Sequence, residues 1–377
     1  MCDPCNGDRL YLSEEQIQEF VEQGVLVVDN LLQADELREA QDGLTKTLAS
    51  FGIDSNDLAS TGHALQHLNS TNGSGGVLDI FYPDWKMSIG TNPRLFRMTT
   101  QLWQATYCHN GERLEELAKE DIFRWHPYGA FDCHQGYLYI DRIGYRLPTL
   151  LAEQLGAEVH GNEITKKKKI KPLQRSLTPH LDCCPPNLYD TKSKWRPIQC
   201  FVSLSDSIEP SRGGFEAARE FHQTFHQWVQ HRPPTKVVQK MNGTITTIVE
   251  MPAPCIGEYT HIRPTEDRDV MDRVQHIPVR AGSVVFWDNR IPHANAYRHA
   301  GHVPRAVIYC SFLPNIDLNR QYVHQQWMKW KMGQPPTDTW IHVDKSTPDG
   351  KERQDMPNHD YNFTPLGRKL MGIDPWS

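Results

Sequence analysis

The stretch Ser176–Asp190, SLTPHLDCCPPNLYD, places His180 and Asp182 two residues apart with Cys183 and Cys184 directly behind them. Successive side chains on a β-strand point to opposite faces, so His180 and Asp182 share a side and lie close enough to ligate one metal ion. A soft zinc site would take the thiolates, whereas a harder iron or manganese site would take imidazole and carboxylate. His-x-Asp alone decides little, since a second copy stands at His342 and Asp344. The decision falls to a third ligand elsewhere in the chain.

Working outward, strand-like runs follow one another through the middle of the sequence: YLYIDRIGY, LTPHLD, PIQCFVSLS, HIPV, SVVFWD and RAVIYCSF. Ser13 and Gln16 have capping-box spacing and predict a short helix ending at Gly24. VLVVDNLL then reads as a buried strand, and a second helix is predicted from about Asp35 through Ser50. Helical periodicity returns over Asn92–Ala118. Short strands at irregular spacing, with helices gathered toward the N-terminus, predict a mainly β fold with α, a sandwich or barrel with helices packed on one side. The Ser/Asn/Gly/His-rich stretch Ser55–Gly76 reads as a long loop, a kind of segment that tends to be functional.

At 377 residues the chain can bury a core without staples, and no apolar run is long enough for a membrane span. Nine cysteines without framework spacing, and no signal-like apolar stretch after Met1–Leu10, predict a reducing, cytoplasmic setting. The formal net charge of −6 disfavours nucleic acid as a partner, the one basic run being KKKKIK, Lys166–Lys171, which reads as a solvated loop. His63/His67 and His222/His226 have helical i,i+4 spacing but lack a metalloprotease glutamate, and Cys2/Cys5 is half a zinc finger without its other half. The aromatic and cationic segment Phe123–Arg146 is a candidate lining for a substrate mouth.

The third ligand appears in GSVVFWDNRIPHANAYRHAGHVPRAVIYCSFLP, Gly282–Pro314, where a strand ends at Asp288, His293 follows a Pro-containing turn and Arg305 opens the next strand. The order His-x-Asp, a distal His about a hundred residues on, and an Arg about a dozen residues later resembles the phytanoyl-CoA dioxygenase-like branch of the Fe(II)/2-oxoglutarate oxygenases. FVEQGVLVVDNLLQADEL, Phe20–Leu37, and CFVSLSDSIEPSRGGFEAAREFH, Cys200–His222, resemble that branch too. The resemblance covers roughly residues 15–315.

It implies a double-stranded β-helix, a jelly-roll or cupin-like core, in which His180, Asp182 and His293 are the metal ligands. Cys183 and Cys184 then become packing or turn residues, and His342/Asp344 has no strand-borne His and Arg after it. The cofactors implied are Fe(II), 2-oxoglutarate and O2, with ascorbate as a candidate reductant, and a small-molecule C–H bond is oxidised with release of succinate and CO2. Arg305 is the expected anchor of the far carboxylate of 2-oxoglutarate, because a guanidinium makes two parallel charge-assisted bonds. Asn295 and Gln199 are further cosubstrate-contact candidates. Asp182 fills the coordination position that related halogenases leave for chloride.

The domain expectation is a disordered N-terminus over 1–12, one oxygenase domain over 13–314, and an extension over 315–377 packed on the core. A non-oxidative cupin-type metalloenzyme would use a similar site without needing Arg305. A catalytically silent binding protein would be free to lose a ligand. Substrate and oligomeric state are not legible.

Overall fold

The computed structural model describes residues 11–108, 126–160, 171–185, 188, 194–241, 244–251, 255, 258–336 and 357–376. Most of Lys166–Lys171, together with Cys2/Cys5, His342/Asp344 and residues 109–118 of the predicted helical stretch, lies outside them.

Helix α1, Glu14–Gln23, starts from the Ser13/Gln16 capping box and stops at Gly24, whose N–H donates to the Phe20 carbonyl. Gly24 has φ of +67°, and a Cβ there would lie 2.5 Å from His222 Nδ1. Only glycine meets both demands. Strand β1 is Val25–Val28 and α2 is Ala34–Ser50. The predicted strand over VLVVDNLL therefore ends four residues early, because Asn30 turns the chain at φ +59°. Short helical turns break up the Ser55–Gly76 loop, and then come β2, Val77–Leu78, α3, Asp84–Gly90, and α4, Pro93–Ala105. The chain continues through β3, Gly136–Arg146, α5, Thr149–His160, β4, Leu177–Leu181, β5, Ile198–Ser203, β6, Phe215–Ala217, and α6, Phe221–His231.

Next are β7, Thr235–Met241, β8, Thr244–Met251, β9, Thr260–His261, β10, Gln275–His276, β11, Val284–Asp288, β12, His293–Asn295, and β13, Arg305–Pro314. Two helices close the described chain, α7, Asp317–Lys331, and α8, Pro365–Leu370. HIPV is a strand only at its first residue.

The strands pair antiparallel in two main sheets. One has the order β1-β11-β5-β13-β3-β2, the other β10-β6-β12-β4-β9, and β7 and β8 form a separate hairpin. The result is a mixed α/β fold with two antiparallel sheets, not a mainly β one, because helices stand along the whole chain.

Period-2 alternation sorts the larger sheet into two faces. Leu26, Val202, Phe286, Ile308 and Phe312 join the helices in one core, while Val25, Phe201, Val285, Trp287 and Val307 join the smaller sheet in another. The second face carries the site. The end of the chain lies against β3: Gln326 of α7 accepts from Ile140 N–H and donates to the Leu138 carbonyl, and Trp376 Nε1 donates to the Gly136 carbonyl.

Candidate metal and cosubstrate site

His180 and His293 are directly opposite one another on the paired strands β4 and β12. Each imidazole donates from Nδ1 to a carbonyl two residues upstream, Thr178 at 2.9 Å and Ile291 at 2.9 Å. Those bonds set the tautomer, leaving both Nε2 lone pairs aimed at Asp182, 3.6 and 3.7 Å from its oxygens. The three ligand atoms lie within 4.8 Å of one another. Burial, then the neighbouring His293, pushes the His180 pKa down to about 4, so it is a neutral ligand at ordinary pH. Burial alone would raise the Asp182 carboxyl, but its charged surroundings, the Arg196 guanidinium among them, hold it well below the usual carboxylate range. The donor set is two imidazoles and one carboxylate, which suits an oxygen-activating iron and leaves positions open.

Arg305 lies at the start of β13, facing the space between the sheets with its guanidinium over the Phe201 ring. It is 3% exposed, and Nη1 donates to Asn295 Oδ1 at 2.9 Å, but Nε and Nη2 have no partner. No ion pair is recorded for it among the described residues. Asn295 donates in turn to Tyr309 Oη and the Gly75 carbonyl, both at 3.2 Å. Neighbouring Gly76 has φ +72°, and a Cβ there would lie 2.7 Å from Arg146 Cα, so the loop reaches the sheet only as glycine.

Gln199, on β5, faces the same cavity but donates at 2.8 Å to Asp182 Oδ2. Expected as a cosubstrate contact, it lines that cavity with its amide on the Asp182 carboxylate. Sequence reasoning also missed Arg196, which approaches Asp182 at 3.8 Å and ends an alternating chain of charges: Asp79 to Arg142 at 2.8 Å, Arg142 to Asp141 at 3.7 Å, Asp141 to Arg196 at 3.4 Å. Nothing in local sequence links Asp79 to Arg196. Of the aromatic segment Phe123–Arg146, Tyr139, Asp141 and Arg142 do line the cavity, as do Ser70, Thr71 and Ser74 of the long loop. The cavity measures about 520 Å³.

The cysteines require a correction. Cys184 is not a packing or turn residue but is joined to Cys255, 71 residues away. Spacing cannot reveal such a pair, because what matters is the distance between the two Cβ atoms in the fold. With that bond present, the cysteines no longer argue for a reducing compartment. The disulfide ties the exit of the ligand strand to a segment in which Tyr259 stacks on His180 and Glu258 accepts from Lys194 at 2.8 Å. Cys183 is buried, its thiol donating to the Asn289 carbonyl at 3.5 Å, and it is not part of the His/Asp/His group. His222 is buried, its Nε2 donating to the Val21 carbonyl. Neither histidine pair of helical spacing belongs to a metal-ligand group among the described residues. There, too, no helix is long and apolar enough to cross a membrane.

A family profile described as Gig2-like matches residues 189–371, just under half of the chain. No curated protein matches it in sequence. Among solved structures, it is similar to GlcNAc Inducible Gene 2, GIG2 (DUF1479), of Candida albicans, at TM-score 0.67 and 15% identity over 97% of this chain and 77% of that one. A hypothetical protein JW0805 of Escherichia coli aligns at TM-score 0.57 and 14% identity, over 96% and 82% of the two chains. At these identities the likeness bears on fold alone.

Proposed function

We propose that this chain is an Fe(II)- and 2-oxoglutarate-dependent oxygenase of the Gig2-like group, acting on a small polar molecule. One observation carries the reading: a His/Asp/His donor set and a buried arginine with unpartnered nitrogens face the same space between the sheets. The two facing sheets are the arrangement a double-stranded β-helix requires, and the motif order resembles the phytanoyl-CoA dioxygenase-like branch.

His180, Asp182 and His293 would hold the metal. Bound together, iron and 2-oxoglutarate supply the oxidation of a C–H bond by dioxygen, with succinate and CO2 as by-products. The chain does the rest. Arg305 would hold the far carboxylate, Asn295, itself bonded to Tyr309, steadies the guanidinium, and Gln199 fixes Asp182 Oδ2. The Asp79-to-Arg196 relay lines the substrate side with fixed donors and acceptors. Such a wall suits a polar substrate, because an apolar one would displace water from charged groups without offering hydrogen bonds in return. A non-oxidative cupin-type enzyme would have no use for the buried cation at Arg305, and a silent binding protein would be free to lose a ligand of the triad.

The test is 2-oxoglutarate turnover to succinate with oxygen uptake by Fe(II)-loaded protein. Turnover that is absent without iron and lost in Asp182→Ala is the expected result. Intact metal binding with no anaerobic iron-to-2-oxoglutarate charge-transfer band would overturn the reading.

A further inference from the structure

Two buried arginines stand side by side across the pairing of β3 and β13. Arg146 lies directly opposite Arg305 in the register, so both side chains leave the same face of the larger sheet. It is the face that carries the site. Gly144, two residues before Arg146, belongs to it too, and a Cβ there would lie 2.8 Å from Val307 Cγ2 and 3.3 Å from Tyr309 Cε2. From this face the Arg146 side chain reaches the smaller sheet. Nη1 donates to the Arg175 carbonyl at 3.0 Å, just ahead of β4, and Nη2 to the Tyr297 carbonyl at 3.4 Å, just past β12. Gly213, at φ +72°, makes room for the stem, since a Cβ there would lie 3.2 Å from Arg146 Cγ.

The charge of this pair is unbalanced. Arg146 is 2% exposed and Arg305 3%. Among the described residues, both donate only to neutral oxygens and neither forms an ion pair. Three N–H edges have no partner at all: Arg146 Nε, Arg305 Nε and Arg305 Nη2. A staple between two carbonyls needs donors but no charge, so the bonds to Arg175 and Tyr297 leave the second cation unexplained. Two guanidiniums held out of water next to each other are costly unless an anion compensates them. The group that answers orphan donors and unbalanced positive charge together is a carboxylate, an acceptor with about four lone-pair sites on two oxygens. Arg305 Nε and Nη2 form the edge that takes both oxygens side by side, and Arg146 Nε supplies a third donor.

We propose that Arg146 is the second cation of a buried carboxylate pocket, clamping with Arg305 one carboxylate of a dicarboxylic acid. The identity of that acid rests on the oxygenase reading, under which it is 2-oxoglutarate held by its far carboxylate. Arg146 then helps to select a dicarboxylic over a monocarboxylic 2-oxo acid, besides tying Arg175 to Tyr297.

The test compares 2-oxoglutarate with 2-oxopentanoate, which offers iron the same 2-oxo acid but has a methyl group in place of the far carboxylate. Midpoints for both are read from the anaerobic charge-transfer band of Fe(II)-loaded protein. Arg146→Met removes charge and donors, while Arg146→Gln removes the charge and keeps an amide donor for the carbonyls. In each folded variant the 2-oxoglutarate midpoint should rise about tenfold to a hundredfold, the worth of one hydrogen bond to a charged group, with 2-oxopentanoate moving less than about twofold. A purely structural arginine would weaken both acids alike. Equal shifts, or none, in Arg146→Gln would overturn the inference and leave the oxygenase reading standing. If the wild type gives no band with either acid, the oxygenase reading fails and glutarate decides the pocket. Thermal stabilisation of the metal-free wild type by glutarate, abolished in Arg146→Gln, would support it, and absent or equal stabilisation would overturn it.

Discussion

Arg305 carries a full charge into the space between two sheets, where its recorded partner is a neutral amide. Removing one member of a buried charge pair costs on the order of 3–5 kcal/mol, several hundred-fold or more in affinity. Arg305→Leu should therefore raise the 2-oxoglutarate midpoint of metal-loaded protein by that order while leaving metal affinity nearly unchanged. Arg305→Lys should fall between, keeping the charge but not the fork. An unchanged midpoint in the leucine variant would remove Arg305 from the site. Gln199 behaves differently. Its amide donates to Asp182, so Gln199→Leu should weaken Fe(II) by roughly 10–100-fold and move the 2-oxoglutarate midpoint little once iron is saturating. The reverse pattern in a paired metal and cosubstrate titration would make Gln199 a cosubstrate contact instead.

At the scale of elements, the turn between β11 and β12 delivers His293. Asp288 accepts from Arg290 Nε at 2.7 Å, Arg290 Nη2 at 2.9 Å and the Arg290 backbone N–H at 2.9 Å, and its second oxygen also takes the Tyr107 hydroxyl. Both charged side chains are fully inaccessible. The pair shapes the turn more than it stabilises the fold, because desolvation offsets most of the attraction. Breaking it is another matter. Arg290→Met strands a buried carboxylate and should cost about 3–5 kcal/mol in urea unfolding, with Asp288→Asn/Arg290→Met recovering part of the loss. Full stability in the single variant would show that the Tyr107 hydroxyl is enough to satisfy Asp288.

For the whole molecule, acid is the expected weakness. His299 is buried beside Arg146, Arg305 and Arg212, and burial first, then those cations, pushes its pKa from 6.5 to about 4. Burial lowers His126, His222, His226 and His261 as well. A histidine with its pKa lowered by folding binds protons preferentially in the unfolded chain. Stability is therefore full above about pH 6.5 and falls as pH drops from there toward 4. His299 alone accounts for on the order of 3 kcal/mol by the bottom of that window. Unfolding free energies at pH 7 and pH 5 should differ less in His299→Gln than in the wild type, and equal differences would exclude the imidazole as a source.

The sequence by itself determined the local features: the capping box and Gly24 that bound α1, the alternation that gives β5, β11 and β13 two buried faces, and the same-side spacing of His180 and Asp182. These depend on neighbours a few residues apart, whose geometry the backbone period sets. The order of His180, Asp182, His293 and Arg305 was legible as a pattern, but their convergence depends on β4 pairing with β12 while β13 lies in the other sheet. Only the tertiary structure decided that Gln199 meets Asp182, that Cys184 meets Cys255, and that a relay from Asp79 reaches Arg196. Each joins groups 17 to more than a hundred residues apart, by contacts of a few ångströms that no spacing rule encodes.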